Sequence, residues 1–320
     1  MGEPGGVVTL GETMALLGAE STGSLAHVHQ LGVGIGGAES NVAIALARLG
    51  TPATWIGRVG ADSLGERVLR ELRAEGLDVR GIVDAGAATG LMLKERRTHD
   101  TVKVWYYRAG SAGSRLCPAD VPAGLVESAA VLHITGISLA ISATARDAVL
   151  AAVGRARTAG VPVSFDVNHR ASLWGERDAG AAYRELVASA AVVFAGEDEA
   201  RVLLGVGAEA LSVAELAGGI AALGPAQVVI KLGADGCYAL VDGEEFWQEA
   251  VTIRPVDTVG AGDAFVAGYL AELVAGLSVP ERLRTGVTTG AFACLAAGDW
   301  EGMPRRAELA LLTRADPVTR

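Results

Sequence analysis

DTVGAGDAF, residues 257–265, precedes an apolar run of helical character that continues to about Ala275. The two glycines around Ala261 let the backbone turn tightly, so that successive N–H groups and the start of the following helix can face one anion. Asp263 falls in the first turn of that helix. Its carboxylate is either a partner of the helix dipole or a general base beside an anion-binding loop, and the stretch alone leaves both open.

The composition predicts a large globular protein with an α/β core. The 320 residues are half hydrophobic and one-fifth charged, which is enough for one large domain with a sizeable core. A formal net charge of −10 argues against a nucleic-acid or anionic-membrane partner, because phosphates require a basic face. The sequence contains neither a secretory leader pattern nor a membrane-span pattern, so we expect a cytoplasmic protein.

The middle of the chain alternates short apolar strands with helical segments. This rhythm predicts a mainly parallel sheet that helices cover on both faces. In such sheets ligands bind at the carboxyl ends of the strands. The loops predicted at those ends are Gly136-Ile137, Asp166-Val167-Asn168-His169-Arg170 and Gly196-Glu197-Asp198-Glu199.

Two β-rich segments, Thr89 to Lys94 and Thr101 to Arg108, interrupt that rhythm. A hairpin here predicts a projecting lid, or a clasp between two copies of the chain. The aromatic residues beside Arg108 either pack the lid or recognise ligand hydroxyl and carboxylate groups. Without a repeat or a linker, we expect one domain over residues 1–320, with a β lid formed by about 12–36 and 89–109.

A dinucleotide-binding fold is the alternative that the glycines of residues 32–37 suggest. Gly32, Gly34 and Gly37 satisfy GxGxxG. The segment before them is short and polar, and no acidic residue ends a buried strand about 20 residues later, as that fold requires. An NAD-dependent dehydrogenase is therefore a remote alternative, and Gly36-Gly37 more simply let a small ligand approach the backbone.

The predicted loops together fit phosphoryl transfer from a nucleotide to a hydroxyl. Asp263 would accept the proton of the alcohol, and the amides from Gly260 onward would neutralise charge on the moving phosphoryl group. Neither a Walker A motif nor the HRD and DFG motifs of protein kinases occur in the sequence.

The chain resembles the ribokinase-like, or PfkB, sugar kinases from near its start to about Pro304. Residues 257–265 are similar to that family's C-terminal signature, and residues 36–41 approach its N-terminal one. The resemblance implies an α/β fold with a mostly parallel central sheet, helices on both faces and a small β lid. It also implies ATP and Mg²⁺ as cofactors, allows a monovalent cation, and makes Asp263 the base. The implied anion hole is Gly260, Ala261 and Gly262.

The same resemblance implies where the nucleotide binds. The family's Asn-x-x-Glu motif here reads Gly196 to Glu199, which keeps the glutamate but not the asparagine. Glu199 would act on Mg²⁺ through water, and direct ligation of a metal by the protein is not indicated. Adenine would lie against residues 290–297. The implied cofactor contacts are Asn168, Glu199, Lys231, Gly233, Gly236 and Gly262.

Within this family the chain is most similar to the 2-keto-3-deoxygluconate kinases, which implies transfer to the primary hydroxyl and a 6-phosphate product. Arg108 and Arg170 would recognise the sugar's carboxylate. Arg170 paired with Asp166 is the alternative for that residue, and Met92, where these kinases can have tyrosine, leaves a neutral sugar or a nucleoside as an alternative substrate. An exposed lid also predicts a homo-oligomer. The implied substrate contacts are Gly36, Gly37, Tyr106, Arg108, Ile137, Arg170 and Asp299.

Overall fold

The computed structural model describes residues 5–19, 21–98, 101–205 and 210–312. Numbered in chain order, the strands are β1 (Val7–Leu10), β2 (Met14–Gly18), β3 (Gly32–Gly36), β4 (Ala53–Gly60), β5 (Asp78–Asp84), β6 (Leu91–Arg96), β7 (Val102–Tyr107), β8 (Val131–Thr135), β9 (Val163–Asp166), β10 (Val192–Gly196), β11 (Gln227–Lys231), β12 (Cys237–Val241) and β13 (Glu244–Gln248).

The helices follow the strands in the alternation that the sequence predicts. They are α1 (Ala38–Arg48), α2 (Ser63–Ala74), α3 (Gly136–Ile141), α4 (Ala143–Ala159), α5 (Ala171–Trp174), α6 (Ala179–Val187), α7 (Glu197–Leu204), α8 (Val213–Ala221), α9 (Ala261–Val274) and α10 (Val279–Ala293). Residues 290–297, the predicted adenine surface, are helical only as far as Ala293, and a 3₁₀ segment, Arg306–Leu312, follows later in the chain.

The large sheet has the strand order β13-β12-β11-β10-β9-β8-β1-β4-β5 in the described part of the chain. Its strands are parallel from β11 through to β5, while β12 and β13 are antiparallel at one edge. Each face packs against a separate apolar cluster: Val193 belongs to one cluster and its neighbour Phe194 to the other. Strand side chains alternate between faces, so burial on both faces explains the continuous apolar runs.

The register of the central strands brings the predicted loops together. Asp166, the last residue of β9, pairs with Thr135 on one side and with Phe194 on the other. Gly196, at the end of β10, pairs with Lys231 at the end of β11. Since all four strands are parallel, the loops that leave them share one edge of the sheet, as expected.

A small second sheet in the described residues has the strand order β3-β2-β6-β7. Gly11, between β1 and β2, has no room for a side chain, because a Cβ there would lie 2.2 Å from Glu39 Cδ. The strands of the small sheet fall inside the predicted lid ranges 12–36 and 89–109. One domain over residues 1–320 stays a prediction.

The dinucleotide-binding alternative does not agree with this topology. Gly32 to Gly36 form β3, which pairs antiparallel with β2 in the small sheet instead of linking a parallel strand to a helix. The helices of the described residues are also all too short or too polar to cross a membrane.

Candidate active site

Asp263 lies at the centre of a polar cluster at the start of α9. Gly260, the N-cap of this helix, has a left-handed φ of 77°. A Cβ at that position would also lie 1.9 Å from the carbonyl oxygen of Asp299, so only glycine fits. Asn41 Nδ2 donates to Asp263 Oδ2 at 2.8 Å, and Asn168 Nδ2 lies 3.4 Å from Oδ1. The two amides fix the orientation of the carboxylate.

Burial raises the pKa of Asp263 to about 7. The hydrogen bond from Asn41 acts against this increase, Asp166 adds to it, and Arg170 and Lys231 act against it. A carboxyl group whose pKa is close to neutral can both take up and release a proton near pH 7, which suits a general base.

Asp263 shares one cavity with most of the predicted sugar contacts. Gly36 lies just behind this cavity, and a Cβ there would be 2.4 Å from Asp299 Oδ2. The predicted residues that line the cavity are Gly37, Tyr106, Arg108, Ile137, Arg170, Gly260, Asp263 and Asp299.

Arg108 enters the cavity from the lid with its charge already paired. Its Nε and Nη2 lie 2.8 Å and 2.7 Å from Glu12 Oε2, and both side chains are buried. The second oxygen of Glu12 accepts a short hydrogen bond from Ser111. The electrostatic effect of Arg108 on a bound carboxylate is therefore reduced by Glu12.

Arg170 follows β9 and is exposed at the mouth of the same cavity. Its Nη1 donates to the carbonyl oxygen of His169 at 3.1 Å, and no carboxylate of the described residues forms an ion pair with it. The alternative pairing with Asp166 is wrong for this structure, because Asp166 Oδ1 lies 2.7 Å from Lys231 Nζ. Arg170 thus keeps its charge for a ligand.

Lys231 and the start of α9 form the part of the site that fits a phosphate chain. Burial acts to lower the pKa of Lys231, but the nearby carboxylates of Asp166 and Glu199 outweigh it and raise that pKa, so the ammonium group stays charged. A Cβ on Gly262 would point to within 3.6 Å of Lys231 Nζ, so glycine keeps the space between the helix and this cation open. The N–H groups of the first helical turn lack intrahelical partners, and that of Ala261 makes only a long contact of 3.4 Å with the carbonyl oxygen of Thr258, so this turn suits an anion.

The other residues predicted to contact the nucleotide help to shape the backbone at the ends of the strands. Glu199 accepts backbone hydrogen bonds from Gly196 and His169 at 2.7 and 2.9 Å, one at each carboxylate oxygen. Gly233 and Gly236 have φ values of 59° and 97° in the turn after β11. In the described residues, no three His, Cys, Asp or Glu side chains form a group that could hold a metal ion.

Three residues of this site were not assigned a ligand role from the sequence. Glu12 pairs with Arg108, and Lys94 lies 3.4 Å from Asp299. Asn41 contacts Asp263 directly, and its buried Oδ1 has no hydrogen-bond partner among the described residues. A buried acceptor without a partner fits a ligand hydroxyl.

Known proteins match this chain over almost its whole length. The pfkB family carbohydrate kinase model matches residues 5–306. The chain is 38% identical to the 2-dehydro-3-deoxygluconokinase of Bacillus subtilis strain 168, with 95% of this chain and 94% of the relative covered. The protein of the same name from Thermoproteus tenax is 35% identical, with 97% and 94% covered. The 2-dehydro-3-deoxygalactonokinase of Haloferax volcanii is 34% identical, with 92% of each covered.

Solved structures confirm the fold class. A putative ribokinase II from E. coli in complex with ATP and Mg²⁺ superposes with a TM-score of 0.89 at 25% identity, covering 97% of this chain and 99% of that chain. A double mutant of the fructokinase from Vibrio cholerae O395, with fructose, ADP and potassium bound, gives 0.86 at 26% identity and covers 98% and 100%.

Proposed function

The chain belongs to the pfkB family of carbohydrate kinases, and we propose that its sugar substrate is 2-keto-3-deoxygluconate, which is another name for 2-dehydro-3-deoxygluconate. Two relatives with 35% and 38% identity carry the name of that activity. ATP would donate the phosphoryl group to the primary hydroxyl, and the product would be the 6-phosphate.

The observation that carries this proposal is the guanidinium of Arg170 in the cavity of Asp263, which forms no ion pair with any residue that the structure describes. A neutral sugar has no group that needs a cation, whereas the carboxylate of a sugar acid forms a charge-assisted hydrogen bond with arginine. Tyr106 and Asn41 line the same space, and Asn41 Oδ1 has no hydrogen-bond partner in the described part of the chain, so both side chains suit sugar hydroxyls.

The chemistry assigned to the chain is the movement of one proton and the neutralisation of charge. Asp263 takes the proton from the primary hydroxyl as the oxygen–phosphorus bond of the product forms and the bond to the β-phosphate breaks. The N–H groups of Ala261 and Gly262 stabilise negative charge on the transferred group. The proton is then released from Asp263 to solvent.

MgATP supplies the phosphoryl group, and the residues present fit it. Lys231, the open space at Gly262 and the start of α9 would hold the phosphates, while the turn at Gly233 and Gly236 would lie along the nucleotide. Asn168 and Glu199 stay predicted contacts, with Glu199 acting on Mg²⁺ through water. A monovalent cation stays a prediction, and because ATP is a substrate we propose that the protein acts in the cytoplasm.

Release of ADP across a panel of sugars tests the substrate. We expect kcat/KM for 2-keto-3-deoxygluconate to exceed that for fructose, ribose and nucleosides at least about 100-fold, because the neutral compounds cannot form the charge-assisted hydrogen bond with Arg170. Phosphorus NMR of the product should show a 6-phosphate. The galactonate epimer is the matched comparison for stereochemistry. Fructose or ribose with equal or higher kcat/KM would overturn the proposal in favour of a neutral-sugar kinase.

We also propose that two copies of the chain associate through the lid. Trp105 and Tyr107 on the edge strand β7 are 43% and 61% exposed, and Val33 on the opposite edge is 40% exposed. Exposed apolar edges of a sheet favour pairing with a second chain. Sedimentation of a Trp105→Ser, Tyr107→Ser variant should give a monomer where the unaltered chain gives a dimer, and a monomeric unaltered chain would contradict this.

A further inference from the structure

A buried lysine of the lid contacts the first residue of the 257–265 loop. Lys94 lies on β6, and its Nζ is 2.7 Å from Asp257 Oδ2 and 3.4 Å from Asp299 Oδ1. The side chain of Lys94 is 9% exposed and that of Asp257 is 2% exposed. Salt screens a pair this deeply buried only weakly, so the attraction persists at physiological ionic strength.

Asp257 also contacts the backbone of the loop. Its other oxygen, Oδ1, accepts the N–H of Val259 at 3.2 Å, which closes an Asx-type turn one residue before Gly260. Gly260 is the N-cap of α9. A single carboxylate therefore joins the lid to the turn that sets the direction of the first N–H groups of α9.

Arg96 adds a second cation from the same strand. Its Nη1 donates to the carbonyl oxygen of Val256 at 3.2 Å, and its Nη2 lies 3.6 Å from Asp257 Oδ2. Residues two apart on a strand project to the same face, so β6 presents both Lys94 and Arg96 to the loop. Met92, two residues earlier on that face, lines the sugar cavity. One face of one strand thus contacts both the sugar cavity and the phosphoryl-transfer loop.

We propose that Lys94 is a positioning residue that couples the lid to phosphoryl transfer by holding Asp257, and through it the turn at Val259, in the geometry that directs the start of α9. The ammonium group reaches Asp257 only while β6 lies against the loop. Enclosure of the sugar and assembly of the anion site therefore occur together. The inference rests on the proposed function, in which this loop stabilises the transferred group.

The first test measures the loop without any turnover. We expect amide hydrogen exchange of residues 256–262 in the ligand-free Lys94→Met variant to be at least about tenfold faster than in the unaltered chain, since the Val259 N–H loses its fixed acceptor. Lys103→Met is the matched control. That lysine, on the neighbouring strand β7, lies over the Trp105 ring at 3.9 Å. Its substitution therefore removes the same charge from the lid, but at a position that does not contact the loop.

The second test measures kcat and KM separately. A loop that is misplaced by about 1 Å lowers turnover more than binding, so we expect kcat of Lys94→Met to fall about 10- to 100-fold, with KM for ATP within about threefold. Methylammonium should restore at least about a third of kcat by replacing the ammonium group, and the larger choline cation should not. A cavity of about 660 Å³ beside Lys94, Arg96 and Asp257 gives the small cation access.

The outcomes separate this inference from the proposed function. Unchanged exchange in residues 256–262, an unchanged kcat, a loss that methylammonium does not restore, or equal effects in Lys103→Met would each overturn the coupling. If Lys94→Met does not fold, Lys94→Gln, which keeps a hydrogen-bond donor, is judged by the same outcomes. An unaltered chain that phosphorylates no sugar would refute the proposed function, while the exchange comparison would still decide on Lys94.

Discussion

Apart from the Asp166–Lys231 ion pair of the large sheet, the two walls of the cleft hold their charges in opposite ways. On the lid wall each buried cation contacts a carboxylate: Arg108 pairs with Glu12, and Lys94 pairs with Asp257. On the wall formed by the large sheet, Asp263 is held by neutral amides, and Arg170 has no ion-pair partner among the described residues. Paired charges stabilise the closed arrangement of the lid, whereas charges without a partner are available for substrate and proton.

The largest effect is expected from Asp263→Asn on the wall of the large sheet. Loss of the base should lower kcat at least about 1,000-fold, with ATP binding retained, because the amide cannot accept the proton of the hydroxyl. Asp147→Asn, an equal change of charge on the exposed side of α4, should leave kcat unchanged. ADP release and calorimetric titration of ATP measure the two quantities, and a kcat close to that of the unaltered chain would refute the assignment of the base.

The same substitution should stabilise the fold at alkaline pH. Burial raises the pKa of Asp263 from 3.8 to about 7 in the folded chain. This group's stabilising contribution is complete below its unfolded pKa and is lost as pH rises through about 7. Above pH 7 the loss is on the order of 4 kcal/mol, and asparagine avoids it. Denaturant unfolding should show a gain in the free energy of unfolding at pH 8 that exceeds the gain at pH 5 by about 3 kcal/mol, because from pH 5 to about 7 only the folded chain keeps the proton.

The next largest effects are expected from the two arginines, one on each wall of the cleft. Arg170→Ala should raise KM for a sugar acid about 10- to 100-fold and leave the unfolding midpoint within about 2 °C, because the side chain is exposed and its one hydrogen bond, to the adjacent His169 carbonyl oxygen, is exposed as well. Arg108→Ala should lower the midpoint by about 10 °C, since Glu12 would be left buried and unpaired.

Substrate scans and thermal unfolding of both variants decide between these expectations. Arg108→Ala with Glu12→Gln is the matched control, because removal of both charges should recover most of the lost stability. If Arg170→Ala raises KM for fructose as much as for the sugar acid, Arg170 does not recognise a carboxylate. If the two single variants unfold at the same temperature, the contrast between the walls is wrong.

More of the functional residues could be predicted from the sequence on the wall of the large sheet than on the lid wall. Gly260 and Gly262 beside Asp263 form a pattern within a few residues of sequence. The alternation of strands and helices places Arg170 at the carboxyl edge of the sheet, even when the side chains that it contacts are unknown. These assignments need only short-range geometry.

The ion pairs and hydrogen bonds of the site join distant parts of the chain. Glu12 and Arg108 are 96 residues apart, and Asn41 and Asp263 are 222 residues apart. Neither periodicity nor motif spacing encodes which carboxylate meets which cation across two sheets. For that reason the sequence indicated Arg108 as a free cation, and it gave no sign that Asn41 contacts the base.

The smallest effect on the base is expected from Asn41, and the pH profile separates it from the pH-independent loss of Asn41 Oδ1 as a contact for a sugar hydroxyl. If Asp263 must be ionised to act, kcat/KM should fall about tenfold per pH unit below about 7 and level off above it. Asn41 Nδ2 donates to the carboxylate and holds its pKa down, so Asn41→Leu should move this limb to higher pH, with a loss at pH 7 that shrinks by pH 9. Asn168→Gly is the matched control. It removes the longer contact of 3.4 Å and suits the φ of 39°, so it should shift the limb less. A limb that stays in place in Asn41→Leu would mean that the acid limb does not report Asp263.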